Sequence, residues 1–320
     1  KLQIEDSEKY RLQAEENRIN MRLIPPERGL ILDTRGKELA VNIGNYKLVI
    51  TREETSNPRE TLVKLSKLID LDEKEIEKIL SNISKISPFV PITIAEHLSW
   101  ESFSKVVLNL PALPGISPEM GLTRYYKKPT SIAHVVGYVG PVSKKDLAKV
   151  DNPDPVLQIP KFQIGKTGVE RELEEALRGK ASLSKVEVNA TGRIIRETER
   201  ISGFSGATLQ LTLDNELQEY AYKRLSGLCA SSVLMEVNSG KILSLSSVPT
   251  FDPNQFVLGI SQKYWDSLLN NKLRPLSNKA VSGAYPPAST LKMAVALSAL
   301  ETGILSKNDT FECPGHFDLG

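Results

Sequence analysis

The sequence predicts an α+β chain in two parts, on three observations. Short β-branched runs dominate before residue 58 and return after 180, a helical texture fills the stretch from about 58 to 110, and from Gly206 strand, helix and hairpin alternate cleanly. These changes of period place a boundary near residue 205.

Residues 1 to 22 carry ten charged side chains with no glycine or proline, and predict a solvated helix that Pro25 and Pro26 end. Gly29 to Asp33 and Tyr46 to Ile50 predict strands around the turn Asp33-Thr34-Arg35-Gly36. Leu62, Leu65, Leu68 and Ile69, then Ile76, Ile79 and Leu80, then Leu98, Phe103, Val106 and Val107, recur at helical spacing and predict a helical insert. A proline-punctuated, irregular stretch follows Tyr125-Tyr126 as far as Pro160. Gly168 to Gly179 predicts a compact helix with acids in its first turn and glycine at its end. Strand-like runs occupy 185 to 189 and 193 to 198. In the second part, Thr208 to Leu213 predicts a strand, Asp214 caps a helix, and Val233 to Leu245 folds back as a hairpin about Asn238-Ser239-Gly240.

With 320 residues, 41 Lys+Arg and 39 Asp+Glu, the net charge is +2, so bulk charge gives no case for nucleic acid. The hydrophobic share of 40% is that of a folded globular chain. No run approaches the roughly 18 apolar residues of a membrane span. Cys229 and Cys313 are too few for a disulfide framework.

The chemical signal lies in Ser289 to Leu300. This segment follows Pro286-Pro287, stops before Gly303 and is apolar nearly all round, which predicts a buried helix. It carries one charge, Lys292, three residues after Ser289, so hydroxyl and amine share a face. Desolvation favours a neutral lysine, which is a base for the serine proton, and the helix N-terminus favours the negative charge of acyl transfer. By spacing alone the alternative stands beside it: Lys292 reaches solvent and Ser289 only caps the helix. Ser-x-x-Lys also occurs at Ser182, outside any apolar helix.

Tyr285-Pro286-Pro287-Ala288-Ser289-Thr290-Leu291-Lys292 resembles the active-site serine motif of the penicillin-binding proteins. Pro26-Glu27-Arg28-Gly29-Leu30-Ile31-Leu32-Asp33, Ala133 to Gly140, Gly165-Lys166-Thr167-Gly168-Val169-Glu170, Lys185 to Arg193 and Pro249-Thr250-Phe251-Asp252-Pro253-Asn254 extend the resemblance along the chain. Together they resemble the elongation-type, class B members, the penicillin-binding protein 2 group. The resemblance implies an elongated β-rich pedestal over residues 1–205 with a helical head at about 58–125, then the N-terminal part of a β-lactamase-like transpeptidase domain over 206–320. It implies a peptidoglycan D,D-transpeptidase with Ser289 as nucleophile, Lys292 as base and the Ser289 amide as one oxyanion donor. β-Lactams would acylate the same serine. Implied partners are peptidoglycan stem peptides, a SEDS-type glycosyltransferase and elongation-complex proteins. The implied location is the bacterial inner membrane, with the domain in the periplasm behind an N-terminal anchor that this chain does not include. No cofactor and no metal is expected in this chain.

Two departures qualify this. Ala288 stands where the family usually has glycine. The family's Ser-x-Asn and Lys-Thr-Gly motifs have no counterpart in the right place, so an incomplete active site is expected: Ser306-Lys307-Asn308 comes too soon, and Lys166-Thr167-Gly168 precedes the nucleophile. Gly165-Lys166-Thr167 is not a phosphate loop, because Pro160 occupies the place of its first glycine. Cys313 and His316 are two ligands, too few for a zinc site. His97 and His134 are expected to be structural, and Arg28 to be a solvated or packing group. A non-catalytic scaffold that activates a glycosyltransferase is the competing function.

Overall fold

The computed structural model describes residues 19–320 except 86–87, 89–90, 149–152, 160, 189–193, 258, 313 and 316–320. It contains two compact units, residues 1–280 and 281–320.

The first unit is built on largely antiparallel sheets. β1 (Ile19–Ile24) pairs antiparallel with β8 (Ser182–Val188), which pairs with β9 (Ile194–Ile201). This corrects the expected first helix over its last residues: six consecutive pairs with β8 outweigh a weak local helical preference. Residues 1–18 of that expectation lie outside the described residues. A five-stranded sheet joins β2 (Ile31–Leu32), the 13-residue β3 (Glu38–Ile50), β4 (Ile92–Leu98), β5 (Ile116–Tyr126) and β10 (Leu209–Gln210). β3 is its spine, in register with β5 from Ala40 opposite Tyr126 to Ile50 opposite Ile116, while β6 (Val139–Pro141) and β7 (Gln163–Gly165) form a separate antiparallel pair.

The insert has the expected helices, Pro58–Leu65, Glu73–Lys85 and Trp100–Leu108. Asn57 and Ser99 cap the first and third through side-chain oxygens. Leu62, Leu65, Ile69, Ile76, Ile79, Phe103 and Val106 are buried, as their spacing requires, against Leu48, Ile50 and Ile116 of β3 and β5. Leu98 differs: it ends β4, because residues 92–98 are recruited to the edge of β3. The head is therefore helices on a sheet, not a helical insert alone.

A second core gathers Ile31, Ala40, Tyr126, Ile132, Val136, Val139 and Leu177. Here Gly29 and Gly206 lie back to back. A Cβ on Gly206 would sit 1.7 Å from the Leu177 carbonyl oxygen, and one on Gly29 would sit 1.9 Å from that of Ala207. The segment read as one helix from Gly168 is two, Gly168–Glu172 and Glu174–Arg178, broken where Leu173 leaves helical geometry at φ −115°. Further on, Asp214 caps the Asn215–Leu225 helix by accepting from the amides of Glu216 and Leu217. β11 (Ala230–Met235) and β12 (Ile242–Val248) form the expected hairpin. No helix among the described residues is long and apolar enough to cross a membrane.

Candidate active site

The second unit carries the serine motif. Ala288–Thr290 forms a 3₁₀ turn that runs directly into the helix Leu291–Glu301, with Ser289 in the turn and Lys292 on the first helical turn. Ala288 adopts φ +44°, the left-handed region where a Cβ costs about 1–2 kcal/mol. That is the conformation for which the family's usual glycine is suited. Thr290 Oγ1 donates to the Pro287 carbonyl and fastens the turn.

The helix is not buried. Leu291, Met293, Val295, Leu297 and Leu300 are all exposed, and so are Ser289 and Lys292. The expected burial of the helix, and with it the desolvation of Lys292, is corrected for this unit. The physical reason is the lack of a second layer: among the described residues of 281–320 there is one long helix and no facing element to cover it. Among the described residues no hydrogen bond joins the Ser289 hydroxyl to the Lys292 amine. An apolar groove of about 350 Å³ runs past Lys292 between Ala288, Leu291, Val295, Ala299 and Leu305.

The two decoy motifs are occupied locally. Ser306 and Asn308 build a turn, in which the Ser306 amide donates to Asp309 and the Asn308 amide to Ser306 Oγ. Lys166 Nζ lies 2.6 Å from Asp146, within the first unit. Against the opposing effect of burial, hydrogen bonds from Lys166 and Ser143 hold the Asp146 carboxyl down at about 2. Cys313 and His316 lie outside the described residues.

The strongest electrostatic site was not legible as such in the sequence. Glu170, expected only as a first-turn acid, is fully buried in the first unit. Its Oε1 accepts from Arg124 Nε at 2.7 Å and from the Tyr126 hydroxyl at 3.1 Å, and its Oε2 accepts from Arg28 Nε at 2.7 Å. Arg28 also donates to Glu174, whose carboxylate accepts the Gly165 amide. Arg124 donates to the Gly29 carbonyl and to Asn42. Burial pushes the Tyr126 hydroxyl well above its usual range, so it stays a donor. The network ties together the segments around residues 28, 42, 124, 165 and 170, and it makes Arg28 a packing group. Its only sequence signal was that Arg28-Gly29 and Gly165 to Glu170 both fall in segments of the family resemblance.

His97 and His134 hold structural positions. His97 takes φ +58°, and its amide donates to Asn45 Oδ1. His134 packs edge-on to Phe251, and burial, helped by the nearby Lys279, depresses it from 6.5 to about 4. It is therefore neutral near pH 7.

Comparison with known proteins converges on one family. Residues 23–211 match the penicillin-binding protein dimerisation domain, and residues 230–317 match the penicillin-binding protein transpeptidase domain. The chain is 35% identical to the peptidoglycan D,D-transpeptidase MrdA of Escherichia coli K12 over 99% of its own length and 50% of that protein's. For the Haemophilus influenzae MrdA the identity is 34%, over 99% and 49%. The chain thus spans about half the length of the curated relatives it matches. Among solved structures, it superposes on penicillin-binding protein PBP2 of Helicobacter pylori in complex with MreC with a TM-score of 0.80, at 28% identity, over 94% of this chain and 56% of that one. H. pylori PBP2 alone gives 0.72 at 27% identity. With a dimerisation domain followed by part of a transpeptidase domain, the chain belongs to the penicillin-binding proteins.

Proposed function

We propose that this chain is part of a peptidoglycan D,D-transpeptidase of cell-wall elongation, with Ser289 as nucleophile and Lys292 as its base. The observation that carries the proposal is the serine motif itself: within the transpeptidase match, Ser289 and Lys292 lie three residues apart at the start of one helix. In the reaction, Ser289 Oγ attacks the penultimate D-alanine carbonyl of a stem peptide while Lys292 takes its proton. The tetrahedral intermediate collapses, the terminal D-alanine leaves with a proton, and an amine of a neighbouring stem displaces the serine ester. The positive end of the helix and the Ser289 amide stabilise the oxyanion. Burial of the Leu291–Glu301 helix by further elements of a complete transpeptidase domain would supply the desolvation that Lys292 needs as a base. In this proposal residues 1–205 are the pedestal and 206–320 begin the transpeptidase domain. The protein works at the periplasmic face of the bacterial inner membrane behind an N-terminal anchor.

The test is the intact mass of the full-length protein with and without excess penicillin, followed by peptide mapping. One penicillin adduct on the Ser289 peptide, lost in Ser289→Ala, supports the reading. A full-length protein that takes up no penicillin contradicts it.

A second reading assigns the pedestal a docking role toward elongation-complex proteins and a SEDS-type glycosyltransferase. Exposed Trp100, Leu108, Met120 and Leu122 on the head support it, as does the capture of the similar H. pylori PBP2 with MreC. A Ser289→Ala protein that still stimulates a partner polymerase but fails to cross-link would separate the two roles.

A further inference from the structure

Three side-chain amides from the later part of the first unit reach back to one short stretch of its earlier part, Tyr126 to His134. Gln218, on the Asn215–Leu225 helix, donates from Nε2 to the Ser131 carbonyl at 2.7 Å. Asn254 Oδ1 accepts the Tyr126 amide at 2.9 Å, and its Nδ2 donates to the Tyr126 carbonyl at 3.1 Å. Asn278 Nδ2 donates to the His134 carbonyl at 3.4 Å. The contacted stretch falls in the dimerisation match, Asn254 and Asn278 fall in the transpeptidase match, and Gln218 lies in the interval between the two.

Gln218 is the most constrained of the three. It is fully buried, and its whole hydrogen-bonding capacity is used. Besides Ser131, Nε2 donates to the Leu245 carbonyl at 2.8 Å, while Oε1 accepts from the Leu245 amide at 2.8 Å and from the Ser244 hydroxyl at 3.0 Å. One amide thus pairs with β12 as a neighbouring strand would, and at the same time grips the Pro129–Val136 helix through Ser131. A buried network with every donor and acceptor satisfied favours a single arrangement. β12 passes this constraint on. Two residues beyond Leu245, Ser247 Oγ accepts the Lys279 amide at 2.9 Å, and Lys279 Nζ donates to the Arg274 carbonyl at 3.1 Å. Lys279 opens the short helix Lys279–Ser282, ten residues before Ser289 along the chain.

We propose that Gln218 is a positioning residue for acyl transfer. It clamps β12 to the Ser131 carbonyl, and through Ser247 and Lys279 it fixes the point from which the chain runs on to Ser289. The catalytic consequence rests on Ser289 being the nucleophile, because a small displacement of a nucleophile is costly in rate even when its cause lies far from the chemistry.

The experiment is saturation kinetics of benzylpenicillin acylation on the full-length protein, comparing wild type, Gln218→Met, Ser247→Ala and the double variant. Hydrogen exchange over residues 276–288 is measured on the same samples without penicillin. Gln218→Met keeps the side-chain length and removes all four hydrogen bonds. It should lower the limiting acylation rate about 10-fold, leave the number of penicillin-reactive sites per molecule unchanged, and speed exchange over 276–288 about five-fold. Ser247→Ala cuts the relay one step later with Gln218 in place, should lower the rate about five-fold, and serves if Gln218→Met fails to fold. The double variant should be no slower than Gln218→Met, since both changes interrupt one path. Fewer reactive sites with an unchanged rate per site is the mark of a merely structural glutamine and would overturn the proposal. Wild-type rates in both single variants, multiplied effects in the double variant, or unchanged exchange would overturn it as well. A wild type that takes up no penicillin contradicts the Ser289 assignment instead, and the clamp then stands on faster exchange in Gln218→Met and falls on unchanged exchange.

Discussion

The Glu170 network and the Ser289 helix reverse what their sequences suggest about burial. Around Glu170 a charged residue in a first helical turn is fully buried, because two arginines and a tyrosine converge on it. In the second unit an almost wholly apolar helix stands exposed, because none of that unit's described residues forms an element facing it. Burial is decided by what packs against a residue, not by the residue's own polarity. A buried charge survives where partners satisfy its oxygens, and an apolar face stays in water where no second layer is present.

The comparison can be broken most severely at Glu170. Glu170→Ala leaves Arg28 and Arg124 without their shared carboxylate and should cost about 3–5 kcal/mol, read from urea unfolding of the first unit. An equally large loss from Ser289→Ala would remove the contrast, since exposed Ser289 should change stability by less than about 0.5 kcal/mol. Gly206→Ala should cost about 3 kcal/mol in the same assay, because its Cβ meets the Leu177 carbonyl at 1.7 Å and backbone must move.

A third prediction concerns pH. His134 is depressed to about 4 in the folded chain, against 6.5 when unfolded. Between these values the unfolded chain binds a proton that the folded chain refuses. Stability should therefore be flat above pH 6.5 and fall as pH drops toward 4, by about 2–3 kcal/mol from this group. His134→Phe should flatten that part of the profile, measured as the difference between unfolding midpoints at pH 7 and pH 4.5. The smallest effect is expected at Ala288. Ala288→Gly relieves a Cβ at φ +44° and should raise the amide protection of the turn about five-fold in hydrogen exchange, equivalent to about 1 kcal/mol.

Much of this was legible in the sequence. The spacing of Leu62, Leu65, Ile76, Ile79, Phe103 and Val106 marked the core face of the head, because core-facing helical residues must recur every three or four positions. Asp214 declared its helix start, and Asn238 to Gly240 declared the hairpin. β4 and β5 were hidden because strand pairing is settled by a partner far away in sequence: β5 lies more than 60 residues beyond β3. β1 was hidden for the same reason. At the candidate site, the order of Ser289 and Lys292 was legible from chemistry and motif together, while the exposure of their helix was not, since a local pattern states what a helix needs and not whether the need is met. Glu170 was missed because one glutamate in a charged first turn looks like any other until Arg28, 142 residues away, closes on it.

The central claim is that Ser289 and Lys292 act as nucleophile and base. It is tested most directly by the rate of acylation of the full-length protein by benzylpenicillin, compared among wild type, Ser289→Ala and Lys292→Ala. The account predicts no adduct for Ser289→Ala and a rate about 100-fold or more below wild type for Lys292→Ala. Acylation of Ser289→Ala at the wild-type rate, or a Lys292→Ala rate equal to wild type, would contradict it.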